Sequence, residues 1–341
     1  MIRNKLEKLN QRRTDDFVKL QKSLTENLKD FYQTDAIKYI IGTMQKVEQE
    51  YTLNTYKEGE RVKNQLKTNL TQSCSYEYQG SVTNDTHIKA RSDIDLLTII
   101  DKFETLENPQ EPKNPYHGNV LEDLKNLRIE EVNILKKTYT EAIVDDSGSK
   151  SISISGGSLR RKIDVVPSNW FNSNLYAITS LKENRGIQIY DKDKNIQILN
   201  YPFLHNAKIE KKDKECNEGL RKTIRLLKSL KYDSEEIELS SYDIASIAYN
   251  MPNYLLQINR GEELKLVFNS LSYCKEIESN TLKRENLFVP NNTRKIFETG
   301  GATIKGLKEL IKQLELLITD VENENYKSFN KLSEARIDYY F

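Results

Sequence analysis

Asp93 and Asp95, separated by one residue in "RSDIDLLTII", are the pair of side chains whose spacing most directly suggests chemistry. In an extended strand successive side chains alternate between faces, so the two carboxylates point one way while Ile94 and Leu96 point the other. Leu97, Thr98, Ile99 and Ile100 continue the run as a buried strand would. The acids therefore stand at the strand's start, where a site can open to solvent. Like charges this close repel and raise each other's pKa unless a cation neutralises them. A divalent metal supplies that charge, and magnesium commonly takes one or two carboxylates together with the phosphates of a substrate.

A phosphate cradle precedes the acids. Gly80 ends "SYEYQ", a period-2 strand pattern, and permits a tight turn; Ser81 adds a hydroxyl beside backbone N–H groups that can hold phosphate oxygens. A third acid comes later, in "SISISGGSLRRKIDVVPSNW", which predicts two short strands joined around Gly156 and Gly157. Asp164 lies in the second, with Ile163 and Val165 facing the opposite side. If this strand pairs beside the one carrying Asp93 and Asp95, the three acids converge. Three carboxylates can hold two Mg2+ ions, for which Mn2+ can substitute, and so support in-line displacement at phosphorus. In a chain with 51 acidic residues an isolated Asp pair is simply a solvated strand end. The ordered set of Gly-Ser, Asp-x-Asp and a later lone Asp carries the catalytic reading.

The elements that must position these residues form an α/β core enclosed by helices. Residues 1 to about 70 are rich in Lys, Glu, Gln and Leu, and "AIKYIIGTMQKVEQEY" shows a helical apolar stripe, so a long supporting helix is expected. The stretch "ENPQEPKNPYHGN" holds three of the seven prolines and predicts an irregular loop. After it "VLEDLKNLRIEEVNILKKTY" is helical in pattern, and "TEAIVDD" with the two strands around Gly156 completes the sheet. Helices dominate from about Asn217, and the "EKKDKE" run before Cys216 predicts a solvated connector between the halves.

Composition removes several rival classes. A chain of 341 residues can bury a substantial core in one large or two packed domains. Its 52 basic residues balance the 51 acids, so there is no electrostatic footprint for long nucleic acid. Cys74, Cys216 and Cys274 match neither a disulfide framework nor zinc-ligand spacing. No signal peptide or long apolar span is visible, which predicts a cytoplasmic protein without a membrane partner. His87, His117 and His205 have no partner at metal or triad spacing. Asn169, shortly after Asp164, is a turn former or a reader of a base edge.

In the second half, "GLRKTIRLLKSLK" places Leu220, Ile224 and Leu227 on one helical face and Arg221, Arg225 and Lys228 on another, a pattern that predicts a solvated cationic face. In "ELSSYDIASI" a helix starts: Ser240 followed by Asp243 fits a capping box, and Ser241 serves equally well as the cap.

The order "GS", "DID", "KIDVVP" resembles the nucleotidyltransferase superfamily that shares the DNA polymerase β catalytic core. Further on, "GIQIYDKDKNIQILNYPFLH", "LRKTIRLLKSLK" and "LSSYDIASIAYNM" are similar to the bacterial cGAS/DncV-like nucleotidyltransferases, or CD-NTases, over about Tyr76 to Met251. Many relatives follow the Gly-Ser pair with an aromatic and a "GT" dipeptide, where this chain has Val82 and then Asp85-Thr86. The resemblance implies an α+β fold: a polymerase β-like core, with a mixed sheet, flanking helices and a long N-terminal helix, against a C-terminal helical bundle. Residues 1–210 are then the catalytic core, and 211–341 a helical domain completing the nucleotide pocket. It implies that Asp93, Asp95 and Asp164 are the catalytic, metal-binding acids and that Gly80 and Ser81 bind nucleotide. Lys228 is implied to contact the triphosphate, with Arg225 a weaker candidate, while Ser241 contacts phosphates and Tyr242 stacks on a base. The implied reaction is template-independent joining of nucleoside triphosphates into a cyclic di- or trinucleotide messenger, with release of pyrophosphate, in antiphage signalling. A monomer whose product acts on a separate effector protein is expected. The alternatives are an enzyme of the same fold acting on an RNA 3′ end, a protein or a small molecule, and an inactive nucleotide-binding sensor.

Overall fold

The computed structural model describes residues 2–12, 34–88 and 93–337, with side chains described as far as residue 325. The parts of the expected N-terminal helix and of the Gly-Ser to Asp loop that fall on residues 13–33 and 89–92 lie outside the described residues. Two compact units are present: one holds Val47–His87 and continues to Glu210, and the other joins residues up to Lys46 to those from Lys211 onward.

The first unit is built on a seven-stranded mixed sheet. Its strands are β1 (Cys74–Gln79), β2 (Ile94–Leu106), β3 (Ile143–Asp145), β4 (Ile152–Gly156), β5 (Leu159–Asn172), β6 (Arg185–Asp191) and β7 (Ile196–Asn200). The order is β1-β2-β5-β4-β3, with β6 pairing to β5 and β7 to β6. Only β2 and β5 run parallel; β1 against β2, β4 against β5, and β6 against β5 are antiparallel. The Gly156-Gly157 turn has φ of 79° and 57°, the left-handed conformation a tight hairpin needs and glycine adopts without strain. The second of the two expected short strands is long, 14 residues. It continues through Pro167 and Asn169 because its distal half gains a new partner in β6.

Strand alternation sorts the sheet's two faces. Ile94, Leu96, Ile163, Val165, Ile152 and Ile154 pack with Val62, Leu66, Val132 and Leu135 from two helices, Gln49–Asn69 and Val120–Thr138. On the opposite face Leu97, Ile99 and Val166 pack with Trp170, Ile187, Ile189 and Phe203. The acids share that second face. Gln49–Asn69, 21 residues long, is the long supporting helix, and it buries Tyr51, Thr55, Gly59, Val62 and Leu66 at helical spacing. The stripe in "AIKYIIGTMQKVEQEY" belongs to two helices rather than one. Asp35–Met44 ends where Gln45 turns extended, and the Met44 carbonyl accepts from the Arg225 guanidinium at 2.8 Å instead of from a next-turn amide. The proline-rich stretch is irregular, and Asn119 ends it by capping Val120–Thr138, accepting from the Leu121 and Glu122 amides.

The second unit is helical. Its central helix, Gly219–Asp233, is buried on nearly every side. Ile2–Arg12 and Asp35–Met44 belong to this unit, so the unit that carries the sheet begins at Val47 and not at residue 1. The reason is a buried polar node. Arg12 donates to both Asp233 carboxylate oxygens at 2.8 and 3.1 Å, and the Tyr39 hydroxyl donates to Asp233 Oδ2 at 2.7 Å. The "EKKDKE" run does lie where the two units divide, but it is not a solvated loop: it completes the helix Pro202–Glu215, with Asp213 buried and the Lys212 ammonium donating to the Met251 carbonyl. No described helix is long and apolar enough to cross a membrane. All three cysteines are free thiols.

Candidate active site

The parallel pairing of β2 with β5 sets Asp95 directly opposite Asp164 and Ile94 opposite Ile163. Because paired residues share a face, Asp95 and Asp164 project together, and Asp93, two residues before Asp95, projects with them. The hairpin register then places Ser153 against Asp164, and its hydroxyl donates to Asp164 Oδ1 at 2.6 Å. On the other side Gln79 pairs with Asp95, which brings the following turn over the acids. Gly80 has φ of 86°, and a Cβ there would lie 2.2 Å from Asp95 Oδ2. Glycine is required twice, for the backbone and for the space.

The turn itself is tied down from within. The Thr83 amide and hydroxyl both donate to the Gly80 carbonyl, at 3.2 and 2.7 Å, and the Thr86 amide donates to the Ser81 carbonyl. Asn206 donates to the Thr83 hydroxyl at 2.8 Å. Asp85 adopts φ of 58°, a region aspartate tolerates better than most side chains.

Electrostatically the cluster is short of positive charge. Burial, reinforced by the charges of Asp164 and then Asp93, pushes the Asp95 carboxyl up to about 7. Among the described residues one cation sits among the acids: the Lys162 ammonium donates to Asp93 Oδ2 at 2.9 Å and to Asp164 Oδ2 at 3.1 Å. Partial burial pulls this lysine down, but the two carboxylates outweigh it and its pKa is raised. Among the described residues no three His, Cys, Asp or Glu side chains already stand at metal-binding geometry. The donor set nevertheless fits a hard divalent ion: carboxylates only, on one face, with a carboxyl whose proton affinity is raised by its neighbours and an ammonium bridging two of them. Sequence reading passed over Lys162 and Ser153. Lys162 was accessible by the alternation that singles out Asp164, and Ser153 by counting back across the Gly156-Gly157 hairpin.

The other expected nucleotide contacts lie in the helical unit. Arg221, Arg225 and Lys228 do not form a solvated face. Arg225 is fully buried; Lys228 is 6% exposed, and burial pulls its ammonium down to about 7. Arg221 pairs with buried Asp213 at 3.2 Å, and the same carboxylate accepts the Arg221 amide at 2.8 Å. Ser240 is the cap of helix Ser241–Asn250, accepting from the Asp243 amide, which leaves Ser241 exposed at the first helical position. The Tyr242 hydroxyl donates to Asn291 Oδ1 at 3.0 Å, and the Arg294 guanidinium lies 5.4 Å from its ring centroid. Asn169 neither ends a turn nor faces solvent. Fully buried in β5, it donates to Thr105 and Gln188 and accepts from Gln197. His205 is buried and pulled down to about 4 by desolvation, and His87 lies 3.0 Å from the Thr52 hydroxyl.

The family model for the cGAS/DncV-like nucleotidyltransferase C-terminal helical domain matches residues 207–333. The chain is 38% identical over 294 residues to a cyclic dinucleotide synthase CdnE of Yersinia aleksiciae, covering 85% of this chain and 77% of that one. It is 35% identical over 276 residues to a c-di-GMP synthase of a Lachnospiraceae bacterium, covering 73% and 79%. Among solved structures, a STING-associated CdnE c-di-GMP synthase from Capnocytophaga granulosa superposes with a TM-score of 0.78 at 31% identity, over 95% of this chain and 99% of that one.

Proposed function

This chain belongs to the bacterial cGAS/DncV-like nucleotidyltransferases, and on that premise we propose that it joins two molecules of GTP into cyclic di-GMP, using two magnesium ions at Asp93, Asp95 and Asp164. Cyclic oligonucleotide synthesis is the reaction of its relatives and of this enzyme. The choice of guanine is supported by the relatives named c-di-GMP synthases at 35% and 34% identity. The observation that carries the catalytic assignment is the register that sets Asp95 against Asp164, beneath the turn at Gly80.

Each round forms a bond from a ribose hydroxyl oxygen to an α-phosphorus and breaks the α–β phosphoanhydride, releasing pyrophosphate; two rounds close the ring. When bound, the divalent ions lower the pKa of the attacking hydroxyl and neutralise charge on the leaving pyrophosphate. The protein's own contribution is placement. Asp95 and Asp164 are fixed by their strands, Ser153 orients Asp164, and the Gly80-Ser81 turn offers N–H and hydroxyl donors to phosphate oxygens. In the helical unit, the family likeness assigns Lys228 and Ser241 to phosphates and the Tyr242 ring to a base, where stacking is worth about 1–3 kcal/mol. The product then acts on a separate effector protein in antiphage defence.

Incubation with each labelled triphosphate singly and with all four, in magnesium, followed by phosphatase, tests the reading. GTP alone should give a resistant product with the mass of cyclic di-GMP. A resistant product appearing only when a second nucleotide is present would replace the guanine assignment. Complete sensitivity to phosphatase would remove ring closure.

A further inference from the structure

Lys162 is not accounted for by this chemistry, yet it occupies its centre. It precedes Asp164 by two residues, so β5 presents both on the face shared with Asp93 and Asp95, while neighbouring Arg161 goes to the other side and covers the Tyr51 ring at 4.0 Å. Its ammonium bridges the two strands, 2.9 Å from Asp93 Oδ2 and 3.1 Å from Asp164 Oδ2. Those are oxygens a metal would use. Ser153 takes the other oxygen of Asp164, so Oδ2 is the one left to a cation. We infer that Lys162 is an internal counter-ion that holds the acidic cluster together in the metal-free enzyme and competes with the divalent ion for Asp93 and Asp164. This rests on the assignment of the three acids to metal.

Two features make the lysine displaceable. Its side chain is 42% exposed and Asp93 is similarly open, at 41%, while Asp164 is more sheltered, at 16%; the ammonium can therefore swing into water with little loss at the Asp93 pair, since exposed pairs contribute little to stability. A long flexible stem with a compact charge also suits a temporary occupant better than a rigid fork does. The consequence is a positioning residue that lowers affinity for free metal and keeps the acids from splaying apart before it arrives. Neutralising it should therefore tighten metal binding by about tenfold, the amount expected when one open and one more sheltered pair no longer have to be broken.

Mn2+ is the probe, with free ion followed by its paramagnetic resonance signal in the absence of nucleotide. Wild type, Lys162→Met, Lys162→Gln and Asp95→Asn are compared, each checked for folding by circular dichroism. Both lysine variants should bind Mn2+ about tenfold more tightly than wild type. Both should also melt lower than wild type in chelator and regain the difference on adding Mn2+. Asp95→Asn should lose most of the binding. If Asp95→Asn loses binding while the lysine variants bind as wild type does or more weakly, the competition is wrong although the metal assignment stands. If Asp95→Asn binds like wild type, the metal assignment fails and the inference fails with it.

Discussion

Asp95 is costly to the fold and, in the proposed reaction, is needed by the site. Its carboxyl is pushed up to about 7, first by burial and then by Asp164 and Asp93. The unfolded chain releases that proton near the ordinary carboxylate value, so raising the pH from about 4 to about 7 favours unfolding, and the effect levels off above 7. In chelator, Asp95→Asn should therefore melt higher than wild type at pH 8, with the difference shrinking towards pH 4, and it should make no cyclic product. Equal melting at both pH values would remove the electrostatic account. Lys228 carries the opposite sign. Burial pulls its ammonium down to about 7, so at pH 8 it is mostly neutral in the free protein, and a bound triphosphate should draw it back to the charged form. GTP binding at pH 8 should then take up close to one proton, and little at pH 6. Calorimetry in two buffers of different protonation heat reads this uptake, and Lys228→Met should abolish it together with much of the affinity.

At the scale of elements, the β1–β2 turn is the most constrained piece. Gly80→Ala meets Asp95 Oδ2 at 2.2 Å and must adopt φ of 86°, so it should cost on the order of 1–3 kcal/mol of stability and remove synthesis. Gly156→Ala is the control. It faces a comparable φ of 79° with nothing within 4 Å of the new Cβ, so it should lose similar stability and retain activity. In the helix Gly219–Asp233 the prediction changes once packing is known. Its pattern of cations suggests a solvated face, but Arg221 is paired to an Asp213 that is 2% exposed and also accepts its amide. Arg221→Ala should thus cost about 1–3 kcal/mol by leaving that carboxylate under-satisfied, measured by urea unfolding, without changing nucleotide affinity.

At the scale of the whole molecule, the chain's ends meet in one unit. Ile2–Arg12 and Asp35–Met44 complete the helical unit by enclosing Asp233 between Arg12 and Tyr39 and by giving Arg225 a carbonyl partner. Breaking a buried pair of this kind costs about 3–5 kcal/mol, and the deletion also removes the buried side chains of Tyr39, Ile40 and Met44. Removing residues 1–46 should therefore abolish the cooperative unfolding of the helical unit, seen as a broadened helical transition by circular dichroism. A sharp transition at the wild-type midpoint would show those helices to be dispensable.

Much of the sheet was legible in the sequence because strand alternation is local. Two residues apart means one face, so Asp93 with Asp95, and Ile94 with Leu96, could be sorted without coordinates, and Gly156-Gly157 could be placed as a hairpin. The Ser240-to-Asp243 spacing likewise marked a helix start to within one residue. The convergence of Asp164 with Asp95 was a conditional statement, since only the parallel pairing of β2 with β5, two segments some 70 residues apart, sets one opposite the other. Burial was least legible. Arg225 and Lys228 have the spacing of a wet face and are buried because other helices cover that face. Glu131 lies in the helix Val120–Thr138 as an ordinary charged residue would, yet it is fully buried, with its carboxyl pushed up to about 8 by desolvation. Periodicity tells which side chains share a face; which neighbour covers that face, and so what charge it can carry, depends on contacts between segments distant in the chain.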